Sequence, residues 1–120
     1  MKKILIVEDN VMNMDLLFQL LEEQYEVITA KDGAEGLRLA IEVKPDLILM
    51  DMKLPVMNGW ETTSKIKAHE LTKHIPVIGI SSHAMSSDTE KAFEIGCDAY
   101  LTKPLDDMLL FEKLKQFLGD

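Results

Sequence analysis

The sequence predicts a doubly wound α/β domain, a five-stranded parallel sheet in the order 2-1-3-4-5 with helices on both faces. Three observations lead there. Short, strand-length runs rich in branched apolar residues recur five times, the most apolar of them reading as strands buried on both faces. Helical patterns fill every gap, and such alternation yields parallel strands joined by right-handed crossovers. Acidic residues close two of the runs: Glu8-Asp9 after Ile4-Leu5-Ile6-Val7, and Asp51 after Leu47-Ile48-Leu49-Met50. In such sheets ligands bind beyond the carboxyl ends of the strands, at the topological switch point. For this strand order the switch point lies between strands 1 and 3, the two that end in acids.

The strands are expected at Lys3 to Val7, Glu26 to Ala30, Asp46 to Met50, Pro76 to Ile80 and Ala99 to Thr102. Asn10 is placed to cap the first helix, whose Met14, Leu17, Leu20 and Leu21 share one face, with Glu22 and Glu23 turned to water. Asp32 caps a second helix through Leu37, Ala40 and Ile41 that Pro45 stops. A third starts after Asn58-Gly59 and carries Trp60, Ile66 and Ala68, with Trp60 expected to be buried. A fourth begins near Ser87-Asp88, capped by Ser86 or Ser87, and ends at a left-handed Gly96. The last runs from about Asp106 to Leu118 with Leu109, Leu110, Leu114 and Leu118 as its apolar face. His69 and His74 are expected in an exposed loop before Ile75-Pro76.

At 120 residues the chain is long enough for one domain with its own core. The single domain is expected to fill residues 1–120, leaving nothing for an output domain, and Met1-Lys2-Lys3 fits a natural start. No apolar run is long enough to span a bilayer and no signal-peptide pattern opens the chain, so a cytoplasmic location without membrane insertion is expected. The formal charge of −8, from 21 acidic against 13 basic residues, argues against direct nucleic-acid binding, which needs a basic face. The single Cys97 excludes an internal disulfide and is expected to be a small core residue. Most of the eight Met residues are expected to fill core gaps rather than form a binding surface.

Glu8, Asp9 and Asp51, brought together at strand ends, would repel one another unless a cation joined them. Hard oxygen ligands with room for water suit Mg²⁺. The residues that surround this acidic set resemble the receiver domains of bacterial two-component response regulators, which have a flavodoxin-like (βα)5 fold. The resemblance spans essentially the whole chain. It is carried by Ile4-Leu5-Ile6-Val7-Glu8-Asp9-Asn10, by Pro45 through Gly59 with Asp51 at its centre, by Ser81, and by Tyr100-Leu101-Thr102-Lys103-Pro104. Each segment is weak alone; together and in order they are highly specific.

The resemblance implies that Asp51 is a phosphoacceptor, and that Asp9 and Asp51 ligate Mg²⁺ with Glu8, directly or through water, and the Lys53 carbonyl. It implies that Lys103 pairs with Asp51 or a phosphoryl oxygen across a cis Lys103-Pro104 bond. Ser81 would donate its hydroxyl to the phosphoryl group, and Tyr100 would turn inward as Ser81 moves, altering the face made by the fourth helix, fifth strand and fifth helix. Lys53 and His83 occupy positions that tune acyl-phosphate lifetime. Ser82 stands where the family often has Ala or Gly. The implied partners are a histidine kinase or histidine phosphotransfer protein as donor and a protein target downstream. The protein is then a signalling switch that catalyses only its own phosphorylation and dephosphorylation.

Three other readings compete. A Mg²⁺-dependent phosphatase with an aspartyl intermediate is disfavoured because Asp51-Met52-Lys53 lacks a second acid two residues on. A flavin-binding module would need a hydroxyl- and Gly-rich phosphate loop where Glu8-Asp9-Asn10-Val11-Met12 stands. A receiver-like scaffold that is never phosphorylated is disfavoured by the presence of all five site positions.

Overall fold

The computed structural model describes residues 1–82 and 86–119. Its elements alternate as β1 (Lys3–Val7), α1 (Val11–Leu21), β2 (Glu26–Ala30), α2 (Gly33–Val43), β3 (Leu47–Asp51), α3 (Gly59–Ala68), β4 (Val77–Ser81), α4 (Ser86–Glu94), β5 (Ala99–Thr102) and α5 (Asp107–Leu118). The strands form one parallel sheet in the order β2-β1-β3-β4-β5, as the sequence predicts.

Two strands sit one residue later than expected. β3 takes in Asp51 and β4 takes in Ser81, because Asp51 pairs in register with Ile80, and Ser81 with Thr102. Both chemically expected residues are therefore the last of their strands, held by the ladder instead of hanging from a loop.

Alternation at period two sorts the strand side chains onto two faces. Ile4, Ile6, Leu47, Leu49, Ile78 and Ile80 pack with Leu17 and Leu21 of α1 and Leu110 and Leu114 of α5. Leu5, Val7, Ile48, Met50 and Val77 pack on the opposite face with Ala40 of α2, Ile66 of α3 and Ala92 of α4. Central β3 and β4 are buried along their whole length, which is why their sequences show no polar alternation.

Helix ends follow their side chains. Asn10, Asp32, Asn58 and Asp106 each accept backbone amide hydrogen bonds as N-caps, at 2.8–3.2 Å. Ser86 and Ser87 are the first two residues of α4, so neither is the cap that the sequence suggested, and the residue preceding the helix lies outside the described residues. The far end of α4 closes as expected: Gly96 has φ 112°, with its amide on the Phe93 carbonyl and that of Cys97 on Ala92. α2 ends on Lys44, which adopts φ 54° just before Pro45.

Four side-chain expectations need correction. Leu109 is 40% exposed, whereas Phe111 and Leu118 join the packing around Leu110 and Leu114. Met12 and Met108 are 76% and 84% exposed, while Met50 and Met52 are buried, so the methionines divide between core and surface. Trp60 is half-buried. His69 is also half-buried: it terminates α3, and its Nδ1 accepts the Leu71 amide at 3.1 Å. His74 is exposed and Cys97 is buried, both as expected. Burial pushes the Cys97 thiol up to about 11, which keeps it protonated.

One glycine matters directly to the β3 terminus. The Gly59 amide donates to the Met52 carbonyl at 3.1 Å, and a Cβ at Gly59 would overlap the Asp51 carbonyl oxygen and the Met52 backbone. The start of α3 thus lies directly against the peptide following Asp51. Gly59→Ala should lower stability by about 1–3 kcal/mol, the cost of overpacking against backbone that has no rotamer to yield. Urea unfolding of the variant against wild type checks this.

Candidate metal and phosphoacceptor site

The carboxyl ends of β1, β3 and β5 deliver the site. β1 and β3 are neighbours in register from Ile4 with Leu47 to Val7 with Met50, so Glu8 and Asp9 emerge beside Asp51. One carboxylate oxygen from each of Glu8, Asp9 and Asp51 lies within 4.8 Å of the others. Glu8 and Asp51 are buried, at 3% and 5% exposure, and Asp9 is exposed. Two buried acids and one open to water, all oxygen donors, suit a hard divalent cation that keeps part of its hydration shell.

Within the protein the compensating charge is Lys103. Its Nζ stands 3.3 Å from Glu8 Oε1 and 3.3 Å from Asp51 Oδ2. Lys103 follows β5, its amide donates to the Ser81 carbonyl at 2.8 Å, and its bond to Pro104 is cis, as the resemblance implies. Two backbone amides also reach the pair. Asn10 donates to Glu8 Oε2 at 3.1 Å, and Lys53 to Asp51 Oδ1 at 3.0 Å. The Lys53 side chain is exposed.

These surroundings shift the titrations. Burial, and then the hydrogen bond with Asp51, push Glu8 up to about 7; the Asn10 amide and the Lys103 charge oppose them, and the Asp51 charge adds to the rise. Burial alone would lower the Lys103 pKa, but the charges of Asp51 and Glu8 outweigh it and hold the ammonium above its ordinary value. Burial is thus the main reason that the Glu8 pKa is raised, and the Lys103 charge offsets it only in part.

A cleft of about 450 Å³ opens over this set, lined by Glu8, Asp9, Asp51, Lys53, Ser82 and Lys103 and also by Asn10, Val11 and Asn13 of the α1 entrance. The sequence reading missed Val11 and Asn13. The signal was present, since a helix capped at Asn10 places its first turn over the acids. Ser81, buried at the end of β4, faces a separate cavity of about 300 Å³ with Met52, Lys53, Trp60 and Asp88. Tyr100 is half-buried on β5. His83 lies outside the described residues. Glu8, Asp9, Asp51 and Lys103 are thus brought together, with the Lys53 backbone against Asp51; Tyr100 belongs to a different cluster on the α3–α4 side of the sheet.

Residues 4–115 match the response regulator receiver domain family. The chain belongs to that family. It is 44% identical to the polar-differentiation response regulator DivK of Brucella anthropi over 99% of this chain and 98% of that one. Among solved structures, the receiver domain of a sensor histidine kinase from Pseudomonas aeruginosa, with a magnesium ion coordinated in its active-site cleft, is 33% identical, with a TM-score of 0.91 over 99% of this chain and 98% of that one. The receiver domain of the Saccharomyces cerevisiae response regulator Ssk1, co-crystallised with the histidine phosphotransfer protein Ypd1, is 30% identical, with a TM-score of 0.90 over 97% and 88% of the two chains.

The protein is accordingly a phosphoacceptor of two-component signalling, with an acidic site of the kind that binds Mg²⁺, and not an enzyme that turns over outside substrates. The phosphatase and flavin readings fall with that assignment.

A pH dependence follows from Glu8. Its folded pKa lies above the ordinary 4.5, so the metal-free native state binds the extra proton. The resulting stabilisation is fully present below about 4.5 and is lost as pH rises through about 7. Urea unfolding in chelator between about pH 5 and pH 8 should show wild type losing stability across that window relative to Glu8→Gln, with the difference reduced by Mg²⁺.

Proposed function

We propose that this receiver is a free-standing cytoplasmic switch that takes a phosphoryl group from a histidine kinase or histidine phosphotransfer protein onto Asp51. It would signal through protein contacts of the α4-β5-α5 face. The observation that carries this reading is the placement of Asp51: a buried carboxylate at the end of β3, beside Glu8 and Asp9 and paired with Lys103 at 3.3 Å. Match to nearly the full length of DivK relatives supports the free-standing form. In keeping with a cytoplasmic location, no helix among the described residues is long and apolar enough to cross a membrane.

In the proposed step, an Asp51 Oδ atom attacks phosphorus, forming the new P–O bond while the P–N bond of a phosphohistidine breaks. The nitrogen leaves with the electron pair and takes a proton. Phosphoryl transfer of this kind depends on positioning and charge neutralisation more than on covalent help from neighbours. The Lys53 amide orients Asp51 through Oδ1. Lys103, already poised against Asp51 Oδ2, is placed to move to an oxygen of the transferred group as the negative charge relocates. Ser81 would donate its hydroxyl to another. Mg²⁺ would be held by Asp9, Asp51, Glu8 and the Lys53 carbonyl and, when bound, would neutralise charge on the phosphoryl oxygens.

The donor has a surface to meet. Val11, Met12 and Leu16 of α1 are 66–76% exposed beside the cleft, and a groove of about 490 Å³ runs from α1 to Pro104 and Leu105. An apolar helix face of this kind suits a protein partner that packs a helix against it, and the Ssk1 receiver is co-crystallised with a histidine phosphotransfer protein. On the opposite side of the cleft, Tyr100 would serve as the moving aromatic of the output face, where Phe93 of α4 and Leu109 of α5 are partly exposed.

Intact-mass measurement after incubation with acetyl phosphate tests the reading. One phosphoryl group should be added to wild type with Mg²⁺, and none after chelation or in Asp51→Asn. Addition independent of Asp51 would overturn the assignment, and no addition even from a kinase donor would favour the non-phosphorylated scaffold. Lys53 and His83 are proposed to tune the lifetime of the product. Lys53→Ala and His83→Ala should each change the dephosphorylation rate by a few-fold or more, and lifetimes identical to wild type in both would refute that role.

A further inference from the structure

Trp60 links the β3 terminus to α4 and β5. It follows Gly59, whose backbone touches the Asp51–Met52 peptide and donates to the Met52 carbonyl, so the indole enters α3 from a fixed point next to the phosphoacceptor. From there it stacks on Tyr100, with ring centroids 6.3 Å apart and planes at 29°. On α4, the Lys91 ammonium stands 5.0 Å from the Trp60 ring centroid. Offset aromatic contact and cation–π attraction both favour this geometry.

The sheet beneath is shaped to receive the tyrosine. Gly79 is the register neighbour of Tyr100 on β4, and a Cβ there would stand 3.2 Å from the Tyr100 ring and 3.3 Å from Cys97 Sγ. Its missing side chain lets the ring lie close over β4. Beside Trp60, the cavity shared with Ser81 and Asp88 gives this cluster room to rearrange.

We propose that Trp60, held between Tyr100 and Lys91, is a positioning residue that sets the Tyr100 rotamer and ties the α4 position to it. The stack spans three elements, so a shift of α4 that carries Lys91 away weakens the hold on Trp60 and with it the preference of Tyr100 for its place over Gly79. Conversely, movement of the peptide after Asp51 reaches Trp60 through Gly59. The proposal rests on the reading of Tyr100 as the moving aromatic; the geometry adds the residue that holds it.

The test uses the unphosphorylated full chain, so it is independent of phosphotransfer. Side-chain χ1 couplings of Tyr100 by NMR should report one dominant rotamer in wild type. Trp60→Leu should turn this into rotamer averaging, and Lys91→Met should shift the rotamer ratio in the same direction by about two- to five-fold, the factor such contacts supply. Trp60 is the only tryptophan, so its emission should also shift in Lys91→Met. Should Trp60→Leu fail to fold, Lys91→Met alone decides. Averaging already present in wild type, or a Tyr100 rotamer and Trp60 emission unmoved by Lys91→Met, would overturn the proposal. Intact mass of separate aliquots after incubation with acetyl phosphate and Mg²⁺ reads Asp51 independently: absence of phosphorylation in wild type counts against the phosphoacceptor reading and leaves the rotamer result standing.

Discussion

The buried charge imbalance between Lys103 and its two carboxylate partners governs the rest of the structure. One ammonium at 3.3 Å from both Glu8 and Asp51 supplies attraction on the order of a few kcal/mol per pair at an effective dielectric of about 20. Against it stand the desolvation of both acids and their mutual repulsion. Burial of Glu8 is the largest of these opposing effects, and it raises the Glu8 pKa above its ordinary value. A site with too little positive charge is ready for a cation, whereas a fully neutralised cluster would have less to gain from one.

The scaffold exists to hold that imbalance in place. Parallel strands are covered on both faces, and only their ends meet water. The order β2-β1-β3-β4-β5 makes β1 and β3 neighbours whose exits point the same way. The ends of β4 and β5 stand beside them, bringing the Ser81 and Lys103 backbones into contact. Capping at Asn10 then turns the chain into α1 immediately after the acids, so the wall of the cleft is built from the helix entrance itself.

On the other side of β3, the approach of Gly59 to the Asp51–Met52 peptide joins the site to α3 through backbone contact. Rigid backbone contact transmits displacement better than a chain of flexible side chains, since packed elements resist small distortions. Trp60 is where that contact becomes a side-chain interaction, and its neighbours come from two later elements, α4 and β5.

Much of this was legible in the sequence. Ile4 to Val7 and Leu47 to Met50 revealed strands buried on both faces because burial on both sides removes polar alternation, and Asn10, Asp32 and Asn58 announced their helices because capping is a local hydrogen bond. The acids at two strand ends, with Lys103-Pro104 after a third, announced the site, since chain topology alone brings those ends together. The one-residue displacement of β3 and β4 depended on ladder register between strands whose paired residues are 21 and 29 positions apart in sequence. The exposure of Met12, Met108 and Leu109 depended on which helix face found a partner. The stack of Trp60 with Tyr100 and Lys91 depended on three distant elements meeting over Gly79. Local patterning and topology determined the fold and the members of the acidic site; long-range packing alone decided how deeply Glu8 is buried, with the rise in its pKa, and which side chains meet across elements, because desolvation and contact are properties of the assembled core.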